Sequence, residues 1–284
     1  MILKTIDQLK AVLPTTVEMD NFSDFEPYVR SAELWIKNQV LGKDLYDLVN
    51  ALTDPLAESV EADLLLLCQS VIGNQAYWDA IPFLDLIHTN NGFAVISATN
   101  KVPASKERVE RLREQCLTRR DSEVELLIAF LEDHPDFHDE WKGSPAYSVM
   151  TDCLIRTATE LAQYGNWEGT RRDFLKLRPK LIQETMTKLE PVFSKDYFDE
   201  LIEKQRDGDA TSADLKIIVL LKYALGSLVN GNTEAAAKIA GDALRYVDNH
   251  PADFATYAAS GENLARIAAG YVNTTEATIF TSLH

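Results

Sequence analysis

The sequence predicts a mainly α-helical protein that is a tandem duplication of one helical module. Two observations carry this prediction. Apolar residues recur with a period of about 3.6 along most of the chain, which is typical of amphipathic helices. The sequence also matches itself when it is shifted by 152 residues, which places Pro27 over Pro179. One short segment of the first copy departs from the helical pattern and is expected to form a β-strand or an extended arm.

The first module begins with a pair of helices. Ser23 is a candidate N-cap, Glu26 follows three residues later, and Pro27 falls in the first turn, where a missing N–H costs nothing. An apolar stripe then runs through Val29, Ala32, Trp35, Ile36 and Val40. Gly42 interrupts the stripe, and the helical pattern resumes over residues 44–49. Further helices are predicted at about 61–80, 103–118, 121–133, 146–163, 177–191, 195–204, 212–229, 233–248 and 261–270.

The two copies match in the same order at three separate places, which argues against chance similarity between helical sequences. Residues 2–9 lie over 154–161, and residues 40–47 lie over 192–199. After a slip of one residue, 62–64 match 213–215, and each of these segments places an aspartate at a helix start, where it favours the helix dipole. Near the end of each copy the offset falls to about 116, and the His-Pro pair at 134–135 lies over the pair at 250–251.

The change of offset locates an insertion of about 35 residues in the first copy, somewhere in 82–120. This part contains Gly92–Ala98, which is rich in β-branched and aromatic residues. Pro103, Ala104 and Ser105 then open a helix. Residues 101–120 contain three glutamates and seven basic residues: Lys101, Lys106, Arg108, Arg111, Arg113, Arg119 and Arg120. We therefore expect one module at 1–145, with its insertion at about 82–120, and a second module at 146–284.

Composition and charge limit the function classes. The chain is 46% hydrophobic, which is enough for a packed core and excludes general disorder. No apolar run approaches the roughly 18 residues of a membrane helix, and the N-terminus lacks the pattern of a signal peptide. The net charge of −16 opposes tight wrapping of DNA, which needs clustered basic residues. An acidic wall would instead let DNA slide past.

No motif indicates a chemistry, so no catalytic, cofactor-binding or metal-binding residues are predicted. Cys68, Cys116 and Cys153 lack ligand spacing and are expected to be buried or half-buried free thiols. His134 and His138 could suggest a metal site, but Pro135 breaks the helix between them and the second copy offers no second histidine. We interpret the His-Pro pairs as helix ends.

Two dibasic pairs are weak signals for nucleic acid. They are Arg119-Arg120 and Arg171-Arg172. Because the chain has an excess of acid, we expect these arginines to pair with carboxylates of this chain or of a neighbour.

The helix with Ala32 and Ile36, the segment Val40-Leu41-Gly42 with Leu45, Tyr46 and Val49, and the long apolar helix that follows resemble head–tail connector (adaptor) proteins of tailed bacteriophages. The rest of the chain is similar to a poorly characterised family in phages and prophages of Bacteroidetes. Three segments carry that second similarity: Gly92-Phe93 with Val95, the helix start at Pro103, and Trp141 with Ser144 and Tyr147. The second copy departs from the connector pattern, because Ser194 replaces the glycine and Pro191 intrudes.

The resemblance implies a structural virion protein of the phage neck, without enzymatic activity or cofactor. Its expected partners are further copies of itself in a ring, the portal and tail proteins, and DNA that passes through the channel without sequence-specific binding; no membrane is involved. The insertion would be an arm that contacts a neighbouring subunit or the portal. Two other readings stay open: a helical-repeat module that binds a protein or peptide, and an all-α enzyme with a carboxylate-based site.

Overall fold

The structure, a computed structural model, describes residues 1–13, 21–52, 58–84, 86–89, 92–95, 104–150 and 152–269. These residues are mainly helical, as predicted, and they group into two compact units. Unit one holds the described residues of Met1–Met150 together with Arg156–Thr159 and Glu168–Lys176. Unit two holds Thr151–Ile155, Glu160–Trp167 and Leu177–His284, again as far as they are described.

Seven helices come from residues 1–150. They are α1 (Ile6–Val12), α2 (Glu26–Ile36), α3 (Gly42–Ala51), α4 (Val60–Ala80), α5 (Lys106–Asp133), α6 (His138–Trp141) and α7 (Pro145–Met150). A π-helical turn, Lys37–Leu41, joins α2 to α3, and short 3₁₀ turns lie at Phe22–Asp24, Ile81–Phe83 and Pro135–Phe137. The core forms where α4 packs against α1, α2 and α5. Side-chain caps begin two of these helices: Thr5 forms a capping box with Gln8, and Ser59 accepts the N–H of Ala62.

A β-hairpin lies between α4 and α5. Its strands are β1 (Leu86–Thr89) and β2 (Gly92–Val95), which pair antiparallel with Leu86 opposite Val95 and Thr89 opposite Gly92. The predicted strand at Gly92 is therefore confirmed over Gly92–Val95, while Ile96–Ala98 lie outside the described residues.

Eight helices follow. They are α8 (Ala158–Gly165), α9 (Arg171–Glu184), α10 (Glu190–Phe193), α11 (Lys195–Asp207), α12 (Ser212–Val229), α13 (Thr233–Asn249), α14 (Ala255–Ala258) and α15 (Gly261–Ala269). A second π-helical turn, Thr185–Leu189, joins α9 to α10. In the core of unit two, five buried aromatic rings pack together, with centroids 5.7–6.2 Å apart between neighbours: Phe193, Tyr197, Phe198, Phe254 and Tyr257.

The duplication is visible in the backbone. In each copy a residue with positive φ lies at the start of a helix that follows a π-helical turn. Gly42, at 75°, comes directly after the first π-helical turn, and Ser194, at 68°, comes after the second one and α10. The long helices α4 and α12 begin after Ser59 and Thr211, whose side chains cap them and which are 152 residues apart. The predicted slip of one residue at this point was wrong, because the caps keep the offset of 152. Asp214 is buried in a capping box, and its counterpart by this offset is Ala62 rather than Asp63.

Two glycines mark the same helix crossing in each copy. A Cβ on Gly73 of α4 would lie 2.7 Å from the Val12 side chain, and one on Gly226 of α12 would lie 2.6 Å from the backbone of Tyr164 and Gly165. Val12 and Tyr164 are themselves 152 residues apart. Gly73 and Gly226 are 153 residues apart, so the first short helix of each copy comes close to the long helix at points that differ by one residue between the copies.

Four predicted boundaries were wrong. Helices 103–118 and 121–133 are one helix, α5, because no glycine or proline interrupts Lys106–Asp133. The predicted helix 146–163 is two helices, since Leu154 and Ile155 are buried in non-helical chain ahead of α8. Helix α9 begins at Arg171 rather than 177, where Asp173 accepts hydrogen bonds from the backbone and hydroxyl of Thr170. Ser23 lies in a 3₁₀ turn, and Phe25 occupies the N-cap position of α2 instead.

Glu33 fixes the N-terminal segment to α2 and α3. Its buried carboxylate accepts the N–H groups of Ile2 and Leu3, at 2.5 and 3.1 Å, and the hydroxyl of Tyr46 at 3.0 Å. Burial, and then the negative charge of Glu33, raise the pKa of Tyr46 to about 12.

This shift predicts how Tyr46 contributes to stability at high pH. Because the pKa in the folded state lies above the unfolded value of about 10, the contribution is fully present below pH 10. It is lost as the pH rises through about 12. We expect the difference in unfolding free energy between the wild type and Tyr46→Phe to be constant from pH 7 to about 9.5 and to shrink above it. Denaturant titrations at each pH measure this difference, and a difference that does not change with pH would contradict the assignment.

Candidate functional site

The inserted segment is the part of copy one that has no counterpart in copy two. In unit two only Asn230–Asn232 separate α12 from α13, whereas the hairpin and the start of α5 come after α4. When the helices are aligned at their ends by His134 and His250, α5 has 28 residues and α13 has 17, so α5 carries 11 additional residues at its start. The helix ends thus place the additional residues of copy one at 81–116. Residues 81–120, which include the whole basic stretch, are called the inserted segment.

The beginning of α5 is exposed on all sides. Every side chain from Ala104 to Arg111 is exposed, which covers more than one full turn of the helix. A helix is ordinarily held by one apolar face against a core. This end of α5 has no such face among the described residues, so its whole circumference is open to a partner.

The structure uses several of the segment's basic residues internally. The guanidinium of Arg113 lies 4.6 Å from the ring centre of Trp78, and that of Arg120 lies 4.5 Å from Trp35, as in cation–π contacts. Lys106 pairs with Glu110 at 3.6 Å, while Lys101 lies outside the described residues. The exposed arginines of the segment are Arg108, Arg111 and Arg119. The positive charge that this segment offers to a partner is thus smaller than its composition indicates.

A buried polar network holds the second half of α5 inside unit one. Arg120 donates to Oε1 of Gln75 at 2.6 Å and pairs with Asp121. Asp121 also accepts from Nε of Arg172 at 2.6 Å, and Arg172 reaches Glu114 at 2.9 Å.

A second pair lies close by, where Arg171 donates to the partly buried Glu125 at 2.8 Å. Of the two dibasic pairs, Arg120, Arg171 and Arg172 bind carboxylates of this chain, as predicted. Arg119 alone of the four is exposed.

Both His-Pro pairs lie at helix ends, as predicted. Nδ1 of His134 lies 2.7 Å from the carbonyl of Phe130, and the imidazole stacks on that phenyl ring with centroids 4.1 Å apart. His250 repeats this arrangement with Tyr246, at 2.8 and 4.3 Å. Nε2 of His138 lies 2.8 Å from the carbonyl of Leu131. The two α5 carbonyls and the α13 carbonyl that these rings contact all lie in the last turns of their helices. In the described part of the chain no group of three or more His, Cys, Asp or Glu is placed to hold a metal ion.

The three cysteines are free and buried, as predicted. Burial raises the pKa of the Cys68 and Cys116 thiols and raises that of Cys153 to about 11. All three therefore stay protonated near neutral pH, and a thiol is a poor nucleophile. Within the described residues, no helix is both long and apolar enough to cross a membrane.

Five of the residues on which the resemblance rests meet at one joint: Val40, Gly42, Trp141, Ser144 and Tyr147. Nε1 of Trp141 donates to the carbonyl of Val40 at 3.0 Å, and its indole packs edge-on against Tyr147. Ser144 lies against Gly42, where a Cβ would come within 2.7 Å of the serine Cβ. The hydroxyl of Ser144 also accepts the N–H of Tyr147 at 3.0 Å. These residues lie about a hundred positions apart in the sequence, so the sequence pattern did not indicate that they touch.

Unit two has an apolar groove that the sequence did not indicate. Its volume is about 310 Å³, and it lies between the second π-helical turn, α10, the end of α12 and the first half of α13. Its lining is Lys188, Leu189, Val192, Leu228, Thr233, Ala236, Ala237, Ala240 and Gly241. The only signal in the sequence is the run of small residues on α13.

Comparison with known proteins gives one similarity. Residues 37–150 match a family of unknown function, DUF6712. The match covers less than half of the chain, and it contains the Gly42 joint, α4, the inserted segment and the His134 helix end. No curated protein and no solved structure matches the chain.

Proposed function

We propose that this chain is a structural protein of a tailed-phage particle, a head–tail connector that forms a ring between the portal and the tail. DNA passes through the centre of that ring. The function has no catalytic step and needs no cofactor.

The observation that carries the proposal is the joint at Gly42. The connector-like residues Ala32, Ile36 and Val49 are all buried. They belong to two successive helices that turn at Gly42 and precede the 21-residue helix α4. The resemblance thus lies in residues that specify one packing arrangement, which is a stronger basis than a shared pattern of apolar positions.

The inserted segment supplies a contact for assembly. A ring needs a surface on each subunit that reaches the next one. The exposed beginning of α5 extends the helix beyond the length of its counterpart in unit two, and it carries Arg108 and Arg111. In a chain with a net charge of −16, exposed arginines are suited to acidic surfaces of a neighbouring subunit or of the portal.

The acidic charge also fits a channel for DNA. Tight binding of DNA rises with the number of phosphates that lysine and arginine neutralise. A wall of net negative charge keeps that number low and allows the polymer to slide.

Particles of the phage that encodes the chain provide the test. Mass spectrometry of purified particles is expected to detect the chain, and labelled antibodies are expected to bind at the junction of head and tail. Loss of the gene is expected to yield filled heads and separate tails. Absence of the chain from purified particles would refute the proposal.

A triple substitution tests the role of the inserted segment in assembly. Arg108, Arg111 and Arg119 are exposed, so their replacement by glutamate is expected to leave the fold intact and to abolish joining of heads to tails. The matched control replaces three exposed basic residues elsewhere: Lys142, Lys195 and Arg245. Equal amounts of joined particles in the two variants would exclude a contact through the inserted segment.

The groove in unit two favours a second candidate, a helical module that binds a protein segment without catalysis. This candidate predicts a stable one-to-one complex with a partner and no incorporation into particles. The particle analysis described above therefore distinguishes the two.

A further inference from the structure

The apolar groove of unit two contains a glycine that the fold of unit two does not require. Gly241 lies in the interior of α13, where glycine is less stable than alanine by roughly 0.5–1 kcal/mol. Gly226 has a reason to be glycine, because another backbone crosses it at 2.6 Å. Among the described residues, no atom of another element lies within 4 Å of a Cβ built on Gly241. The glycine at this position would be explained if a group outside the described residues packed closely against α13 at Gly241.

The groove has the properties of a binding site for an apolar segment. Its volume of about 310 Å³ is at the lower end of the roughly 300–1,000 Å³ that is usual for small binding sites. Leu189, Val192 and Leu228 form apolar walls, and the small side chains of α13 form the floor. Lys188 supplies a single positive charge at the rim.

The last described helix adjoins one element of the groove wall, and its residues 264–269 are exposed. Helix α15 ends at Ala269 and packs against α10, which carries Val192 of the groove wall. Fifteen residues follow (284 − 269). A fully extended segment of this length spans about 50 Å. Helix α13, which lines the groove, is about 25 Å long at about 1.5 Å per residue, so the segment is long enough to reach along it.

The composition of residues 270–284 is that of a segment that binds an apolar surface. Glu276 is its only Asp, Glu, Lys or Arg, in a chain that is 25% charged. Its large apolar residues are the pair Tyr271 and Val272, the pair Ile279 and Phe280, and Leu283. A solvated tail is ordinarily rich in charge and poor in such residues. Glu276 also complements Lys188 at the rim.

We propose that residues 270–284 of the same chain bind in this groove, with Ile279 and Phe280 as the apolar anchors above Gly241. The segment then covers the apolar walls in the isolated protein. This inference does not depend on the connector function, and either one can fail without the other.

Hydrogen exchange of the full-length protein tests the proposal. Amides of residues 276–283 are expected to exchange at least roughly tenfold more slowly than in an unstructured peptide. Gly241→Trp places a large side chain in the groove. A Cβ at this position contacts no atom of the described residues, so the fold is expected to persist. The protection of residues 276–283 is expected to be lost. The control, Lys238→Trp, places the same side chain on an exposed position of α13 outside the groove lining, and protection is expected to be unchanged.

A second measurement uses the peptide of residues 270–284 and a chain that ends at Ala269, checked for folding by circular dichroism. The labelled peptide is expected to bind this shortened chain and to bind the full-length chain at least roughly tenfold more weakly, because the groove is then occupied. The Phe280→Asp peptide is expected not to bind. Equal protection in the two tryptophan variants would overturn the proposal. Protection that disappears on dilution of the wild type would overturn it as well, since the occupant would then be the segment of a second copy.

Discussion

Replacement of Gly226 by alanine is expected to destabilise unit two by about 1–2 kcal/mol. The new Cβ would lie 2.6 Å from the Cα of Gly165 and 2.6 Å from the carbonyl oxygen of Tyr164. Both are backbone atoms, which cannot yield as a flexible side chain can. Helices α8 and α12 must therefore separate, and overpacking of this kind costs about 1–3 kcal/mol. The gain of about 1 kcal/mol from alanine in a helix offsets only part of it.

In the chain that ends at Ala269, where the groove is open, the same substitution at Gly241 is expected to have the opposite sign. This position has open space around its Cβ among the described residues, so alanine is expected to add about 0.5–1 kcal/mol of stability. Hydrogen exchange of amides in α12 measures both variants, and amides in α4 of unit one serve as an internal reference. If Gly226→Ala were stabilising by as much as Gly241→Ala, only the helix preference for alanine would act at both positions, and the close crossing would not be what requires Gly226.

The helices that the sequence placed well are those whose signals are local. The predicted helix 212–229 is correct to the residue, because Thr211 and Asp214 form a capping box and Asn230 ends the apolar pattern. The prediction 146–163 failed because Leu154 and Ile155 are apolar at a spacing that also suits a helix. Their burial in non-helical chain is a tertiary effect, and only the repeat, which places them over Leu3 and its neighbour, carried a hint of it.

In the candidate site, too, features with local sequence signals could be predicted and features that depend on tertiary contacts could not. The change of offset between the copies was enough to place the inserted segment, since it is a property of the sequence alone. The positive charge that the segment exposes to solvent could not be predicted from the sequence alone. Whether an arginine faces solvent or an indole depends on where Trp35 and Trp78 lie, and those residues belong to α2 and α4.

Adjacent arginines in α5 give the most direct test of that assignment. Arg120→Ala is expected to destabilise unit one by about 3–5 kcal/mol, the usual cost of breaking a buried ion pair from one side. The side chain of Arg120 is 8% exposed and that of Asp121 is 4% exposed. The substitution removes a partner of Asp121, leaves Oε1 of Gln75 without its donor, and uncovers the ring of Trp35.

Arg119→Ala is the matched control, because it removes the same charge one position away. Its side chain is exposed, and such substitutions usually change stability by less than about 0.5 kcal/mol. Urea unfolding of the two variants measures the difference. If both cost the same, the network around Asp121 does not hold α5, and the basic excess of the inserted segment would be available to a partner after all. If only Arg120→Ala is costly, the outward charge is limited to the exposed arginines, and a defect of Arg119→Ala in particle assembly could then be attributed to a lost contact, because the fold would be intact.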